Sequence, residues 1–174
     1  MTRKSLKHAL AEHSVGLTDQ QIDKLMEAYD SLSTFPDVNP GLKRLAGNSN
    51  IENVVFSNGT KIMVTNSVHK SGSLDSAVFK DIITVDAVEV FKPAPEVYRY
   101  LAQKVGKEGQ ESDLWLVSGN PFDVVGARAV GMQAAWVDRA GNGWQDTLGQ
   151  GPTVVIRGLE EVADAIEKYS SNNS

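Results

Sequence analysis

Short apolar segments that alternate with helical segments constrain this chain most, because few folds accommodate them. Five runs are almost continuously apolar and rich in β-branched or aromatic residues, which predicts buried strands. They lie at 54–56, 82–85, 114–117, 134–137 and 154–156. Strands that are apolar at consecutive positions must be covered on both faces. The pattern therefore predicts an α/β fold with three layers, in which a parallel sheet lies between helices.

The N-terminal part of the chain instead predicts helices. Residues 5–13 show helical apolar spacing, and Thr18 with Gln21 forms a capping box that opens a second helix over about 19–29. A third helix is predicted over 40–46. Helices thus precede the alternating strands and helices of the rest of the chain.

Composition limits the classes of partner. The net charge is -5 and no basic stripe occurs, which argues against nucleic acid or an anionic membrane as the partner. The absence of cysteine excludes disulfides, thiolate catalysis and cysteine-based metal sites. No apolar run is long enough to span a bilayer. We therefore expect a cytoplasmic protein with no membrane partner.

Polar residues follow three of the predicted strands, at the edge where an open parallel sheet binds its ligands. They are Ser57 and Asn58 after the first strand, Lys92 after the second, and Ser118, Asn120 and Asp123 after the third. Each group taken alone is more typical of a turn, a surface lysine or a helix cap. Their joint occurrence in this order favours a functional site.

These segments, 57–59, 91–98 and 118–127, together resemble the haloacid dehalogenase superfamily, and most closely its (S)-2-haloacid dehalogenase branch. The strand and turn over 131–141 resemble the same branch, and the resemblance covers roughly residues 2–165. It implies a Rossmann-like, three-layer α/β fold. Its expected parts are a remnant of a helical cap at 1–36, an incomplete α/β core at 37–169 and a disordered tail at 170–174.

The resemblance also implies a segment that this sequence lacks. In the family, a hydrophobic strand followed by Asp-x-x-Gly-Thr supplies the nucleophilic aspartate, and that motif occurs nowhere here. Asp30 follows a predicted helix, and Asp86 follows a strand but lacks the Gly-Thr pair. We therefore expect the chain to begin inside the cap and its sheet to lack the central first strand.

Three arrangements of the core follow from a missing central strand. The strands ending at Phe56 and Val117 pair directly, or a second copy of the chain uses the open edges in a homodimer, or the sequence is part of a longer protein. We expect the third.

The activity implied by the resemblance is a two-step hydrolysis of a small-molecule carboxylate substrate. A carboxylate displaces halide from C2 of a small 2-haloacid, and water then cleaves the ester. Lys92 would keep the nucleophile ionised, since a cation within about 4–6 Å lowers the pKa of a carboxyl group. The implied catalytic residues are Lys92, Asp123, Ser118 and Asn120, and the implied substrate-binding residues are Ser57, Asn58 and Tyr98.

The residues after the third strand also bear on metal use. Only Asp123 is charged there, and one carboxylate is a poor magnesium site. We therefore expect no metal and no cofactor, and a dehalogenase rather than a magnesium phosphatase. Without the nucleophile motif we expect this chain to be inactive. The alternative is a non-hydrolytic protein on the same fold: a pseudoenzyme, a binding module or a cofactor-free biosynthetic enzyme.

Overall fold

The computed structural model describes residues 2–28, 32–70, 72 and 74–173. Within them, the helices are α1 (Thr2–Glu12), α2 (Asp19–Ala28), α3 (Val38–Ala46), α4 (Lys61–Lys70), α5 (Pro95–Lys104), α6 (Pro121–Ala129) and α7 (Val162–Asn172). The strands are β1 (Val54–Ser57), β2 (Asp81–Thr84), β3 (Trp115–Ser118), β4 (Gln133–Val137) and β5 (Val154–Ile156). Asp30, considered above as a nucleophile, lies outside the described residues.

All strand pairs are parallel, which confirms the predicted α/β class. Strand β1 pairs with β2, so that Val54 lies opposite Asp81. Strand β4 lies between β3 and β5 in a second sheet. In the described part of the chain β1 and β3 belong to different sheets and do not pair. The arrangement in which these two strands close up on each other is therefore wrong.

Helices cover the strands on both faces, as the apolar runs predict. One apolar cluster joins α5 and α6 to the strands and contains Tyr98, Leu101, Val124, Ala127 and Leu116. The other joins α3 and α7 to β4 and β5 and contains Leu45, Val162, Ala163, Ala135 and Ile156. Both clusters exclude water from apolar side chains, which is the main favourable contribution to folding.

Short-range sequence signals set where the helices begin. The capping box is confirmed: Thr18 N donates to Gln21 Oε1 at 2.8 Å, and Gln21 N donates to Thr18 Oγ1 at 3.2 Å. Pro95 and Pro121 occupy the first turns of α5 and α6, where a missing N–H costs nothing. Because only residues 119–120 separate β3 from α6, the first turn of α6 lies at the carboxyl edge of the sheet.

The C-terminal helix is longer than the sequence predicts. Helix α7 continues to Asn172, inside the segment 170–174 that composition assigns to a disordered tail. Two side chains hold its last turn: Ser171 Oγ donates to the carbonyl of Glu167, and Asn173 Nδ2 donates to the carbonyl of Tyr169 at 2.7 Å. The second bond satisfies a carbonyl group in the last four residues of the helix, which a helix end otherwise leaves open.

Candidate functional site

A buried ion pair lies at the carboxyl edge of the strands. Lys92 Nζ donates to Asp123 Oδ2 at 2.8 Å, and the two side chains are only 7% and 5% exposed. Lys92 Nζ also donates to the carbonyl of Phe56 at 3.1 Å and lies 4.5 Å from the centroid of its ring. The ammonium group therefore connects the end of β1 to the first turn of α6.

Asn58 holds the backbone of Lys92. The amide N–H of Lys92 donates to Asn58 Oδ1 at 2.8 Å, and Asn58 Nδ2 donates to the carbonyl of Lys92 at 3.4 Å. Both polar atoms of the Asn58 side chain thus engage one peptide segment. The turn after β1 therefore fixes the position from which the Lys92 side chain extends to Asp123.

Tyr98 supports the other end of the ion pair. Its hydroxyl donates to Asp123 Oδ1 at 2.8 Å, and the side chain is 0% exposed. Burial, together with the negative charge of Asp123, raises the pKa of Tyr98, so the hydroxyl remains a donor. A Cβ at Gly126 would lie 2.4 Å from this hydroxyl, so glycine is required for Tyr98 to pack here.

Two serines mark the ends of the strands on either side of the pair. Gly59 N donates to Ser57 Oγ at 3.0 Å, and Asn120 N donates to Ser118 Oγ at 3.1 Å. A hydroxyl has one donor besides its acceptor lone pairs. Each hydroxyl therefore accepts from the backbone and also carries a proton that it can donate. The Asn120 side chain is exposed and makes no capping bond to α6.

The residues around Asp123 bear on metal binding. Within the described residues, no three His, Cys, Asp or Glu side chains group in a way that would hold a metal ion. Both carboxylate oxygens of Asp123 accept hydrogen bonds, from Lys92 and from Tyr98. A cation there would compete with the ammonium group.

Across 2–28, 32–70, 72 and 74–173, no helix combines the length and apolarity needed to cross a bilayer.

The structure brings together four of the residues singled out in the sequence: Lys92, Asp123, Tyr98 and Asn58. Ser57, Ser118 and Asn120 lie at the adjoining strand ends. Tyr98 lies beneath Asp123 rather than at an open surface. The pattern of polar residues did not indicate Phe56, because it contributes a backbone carbonyl and a ring rather than a polar side chain. Its place directly before Ser57 is the only signal for it.

Comparisons with known proteins show which family the chain resembles. The haloacid dehalogenase-like hydrolase family matches residues 2–131. Haloacetate dehalogenase H-2 of Moraxella sp. (strain B) is 30% identical over 165 residues, which are 95% of this chain and 71% of that protein. (S)-2-haloacid dehalogenase H-109 of Pseudomonas putida is 31% identical over 163 residues, which are 94% of this chain and 70% of that protein.

Solved structures show the same relationship. A crystal structure of an L-2-haloacid dehalogenase superimposes with a TM-score of 0.87 at 27% identity and covers 95% of this chain and 70% of that one. The enzyme from Xanthobacter autotrophicus with chloropropionic acid covalently bound superimposes with a TM-score of 0.82 at 25% identity. This match covers 95% of this chain and 74% of the enzyme.

Proposed function

This chain belongs to the haloacid dehalogenase-like hydrolases, and we propose that its Lys92–Asp123 site serves the metal-free hydrolytic dehalogenation of small 2-haloacids. The observation that carries the proposal is the buried Lys92–Asp123 pair at the carboxyl edge of the parallel strands. The names of the relatives, which are haloacetate and (S)-2-haloacid dehalogenases, support the substrate class.

Lys92 is the group that would hold the substrate carboxylate. An ammonium group has three donors, of which Phe56 and Asp123 each accept one. The third donor matches an anionic substrate. Ser57 and Ser118 would add hydroxyl donors to the carboxylate, and the exposed Asn120 amide would add another.

The proposed reaction has two steps. A carboxylate oxygen attacks C2, and the carbon–halogen bond breaks as halide leaves with its electron pair. Water then attacks the resulting ester, which releases the 2-hydroxyacid and a proton and regenerates the carboxylate. Asp123, held by Lys92 and Tyr98, would accept a hydrogen bond from the attacking water. Because the sequence contains no Asp-x-x-Gly-Thr motif, we propose that the chain by itself does not complete the first step.

Binding of (S)-2-chloropropionate to the 174-residue chain tests the site separately from the chemistry. We expect saturable binding in a calorimetric or NMR titration, and we expect Lys92→Met to abolish it. Lys80→Met is the matched control, because the ion pair of Lys80 with Glu52 is exposed and lies at the start of β2. Absent binding, or binding that Lys92→Met leaves intact, contradicts the proposal.

Chloride release then tests the chemistry. The chain alone is expected to release none, whereas added formate can supply the missing carboxylate, displacing chloride and forming a formyl ester. Formate-dependent release that requires Lys92 supports a hydrolase. Release without formate contradicts the proposal that the nucleophile is lacking, and Mg²⁺-dependent release of phosphate from a phosphate ester would indicate a phosphatase instead.

The alternative is a non-hydrolytic binding protein on the same fold, and the missing Asp-x-x-Gly-Thr motif favours it. Binding of 2-chloropropionate without any formate-dependent release of chloride would support this alternative over the hydrolase.

A further inference from the structure

Phe56 takes part in the functional site through its ring, although its side chain is apolar. The Lys92 ammonium group lies 4.5 Å from the centroid of this ring and also donates to the Phe56 carbonyl at 3.1 Å. A cation within about 6 Å of an aromatic centroid is attracted by the negative face of the ring. Phe56 therefore contacts the ammonium group twice, once through its backbone and once through its side chain.

The ring of Phe56 also closes a cycle of side chains around the ion pair. Lys92 donates to one carboxylate oxygen of Asp123, and Tyr98 donates to the other. The Tyr98 ring in turn lies across the Phe56 ring, with the centroids 5.8 Å apart and an angle of 71° between the ring planes. Aromatic pairs prefer such an edge-to-face arrangement. The orientation of the Phe56 ring is therefore supported by the same tyrosine that holds Asp123.

Burial strengthens this contact between ring and ammonium group. The Lys92 side chain is 7% exposed, so its charge is largely removed from water. Cation–π contacts strengthen as the cation loses its hydration. The contact between Arg139 and Phe35 is the opposite case: the guanidinium group lies 4.3 Å from the ring centroid, but the two residues are 31% and 60% exposed. We therefore expect the Phe56 contact to be the stronger of the two.

An aromatic ring suits this position better than an oxygen atom or an aliphatic side chain. An ammonium group has three donors, and within the described residues the Phe56 carbonyl and Asp123 accept two of those of Lys92. A further oxygen would take the last donor, and an aliphatic side chain would leave the buried charge less compensated. The ring attracts the charge through its quadrupole and leaves the last donor for a ligand.

We propose that Phe56 is a positioning residue, whose ring holds the Lys92 ammonium group at the end of β1 with one donor available to the substrate carboxylate. Without the ring, the attraction of Asp123 outweighs that of the Phe56 carbonyl. The ammonium group then moves toward α6, and its free donor turns away from the ligand. This inference rests on the proposed function, because it takes the ligand at the free donor to be the carboxylate of a 2-haloacid.

Fluorinated phenylalanines incorporated in place of Phe56 test the ring at nearly constant shape. Fluorine withdraws electrons from the face of the ring, so trifluoro- and then pentafluorophenylalanine should weaken binding of (S)-2-chloropropionate stepwise. The pentafluoro ring should weaken it about tenfold, which corresponds to about 1.4 kcal/mol and lies within the range of a desolvated cation–π contact. An affinity that fluorination leaves unchanged would overturn the proposal, because a residue that only fills space is insensitive to the charge distribution of its ring.

Two further substitutions serve as comparisons. Phe35 is the matched control, because its ring also lies against a cation but is exposed. The same fluorination of Phe35 should leave the affinity unchanged, and an equal loss at both positions would contradict a specific role for Phe56. Phe56→Leu keeps an apolar side chain without an aromatic face and should weaken binding as much as the pentafluoro ring. Circular dichroism checks that each variant folds, and the fluorinated variants decide the question if Phe56→Leu does not.

Exchange of the lysine ammonium protons with water, followed by nitrogen NMR, gives a readout that needs no haloacid. The protons of buried Lys92 should exchange slowly, whereas those of Lys80, which is 65% exposed, should exchange fast. Fluorination of the Phe56 ring should speed the exchange at Lys92 stepwise, and an unchanged rate would overturn the inference. If fluorination speeds this exchange but 2-chloropropionate does not bind the unsubstituted chain, the ring holds Lys92 and the proposed function is wrong. The two can therefore fail separately.

Discussion

Replacement of Lys92 by methionine gives the sharpest test of how the site contributes to stability. The Lys92 and Asp123 side chains are 7% and 5% exposed, so both charges are removed from water. Methionine preserves most of the apolar stem but leaves the Asp123 carboxylate buried. Within the part of the chain that the structure describes, the Tyr98 hydroxyl is then its one remaining side-chain donor. Breaking a buried pair in this way costs about 3–5 kcal/mol.

This cost is large compared with the total stability of a domain, about 5–15 kcal/mol. Urea unfolding followed by tryptophan fluorescence measures it. With a slope of about 2 kcal/mol per molar urea, the midpoint of Lys92→Met should fall by about 2 M. Asp123→Asn added to Lys92→Met should recover part of the loss, because no uncompensated charge then remains.

The matched control is Lys80→Met. Lys80 forms an ion pair with Glu52 at 2.6 Å, but the two side chains are 65% and 64% exposed. Exposed pairs contribute about 0–1 kcal/mol, so the midpoint should barely change. A Lys92→Met midpoint equal to that of Lys80→Met would refute the reasoning, because it would mean that Lys92 and Asp123 are hydrated in solution.

Three further predictions concern residues around the site and the core. Tyr98→Phe removes a donor to a buried carboxylate and should lower the free energy of unfolding in urea by about 1.5–3 kcal/mol. In an alkaline absorbance titration, one tyrosine of the unsubstituted protein should stay protonated well above pH 10, and the variant should lack this tyrosine. Gly126→Ala should cost about 1–3 kcal/mol by displacing Tyr98. Gly16→Ala should change stability by less than about 0.5 kcal/mol, because among the described residues nothing beyond the two chain neighbours lies within 4 Å of a Cβ placed there. The side-chain hydrogen bond from Arg139 lowers the pKa of Asp37. The stability that the ionised Asp37 contributes is therefore complete above the ordinary carboxyl pKa of about 3.9 and is lost as pH falls through the lower pKa of the folded state. Arg139→Gln should flatten this dependence of thermal unfolding on acid pH, and an unchanged slope would contradict the assignment.

Much of the fold could be predicted from the sequence because its signals are local. Consecutive apolar residues at 134–137 indicate a strand covered on both faces, and β4 is buried at all five positions. Thr18 and Gln21 indicate a helix start through bonds that span three residues. Such patterns depend only on neighbours along the chain, so they can be interpreted without knowledge of the packing.

The order of polar residues after the strands likewise predicted the edge at which Lys92 and Asp123 meet, since parallel strands bring their carboxyl ends together. What each side chain contacts depended on packing. The carbonyl of Phe56 as an acceptor for Lys92, and the position of Tyr98 beneath Asp123, follow from how α5 and α6 pack on the strands. Spacing along the sequence does not encode those distances.

Long-range contacts were decided by the tertiary structure alone. Arg139 donates two hydrogen bonds to the carboxylate of Asp37, a residue 102 positions away, and no local pattern indicates that partner. The separation of β1 from β3 into two sheets is likewise a long-range feature that no local pattern indicates. The sequence by itself determined which segments are strands and which edge carries the polar residues, because those are short-range properties. Which strands become neighbours depends on how the helices pack around them, and only the folded chain establishes that.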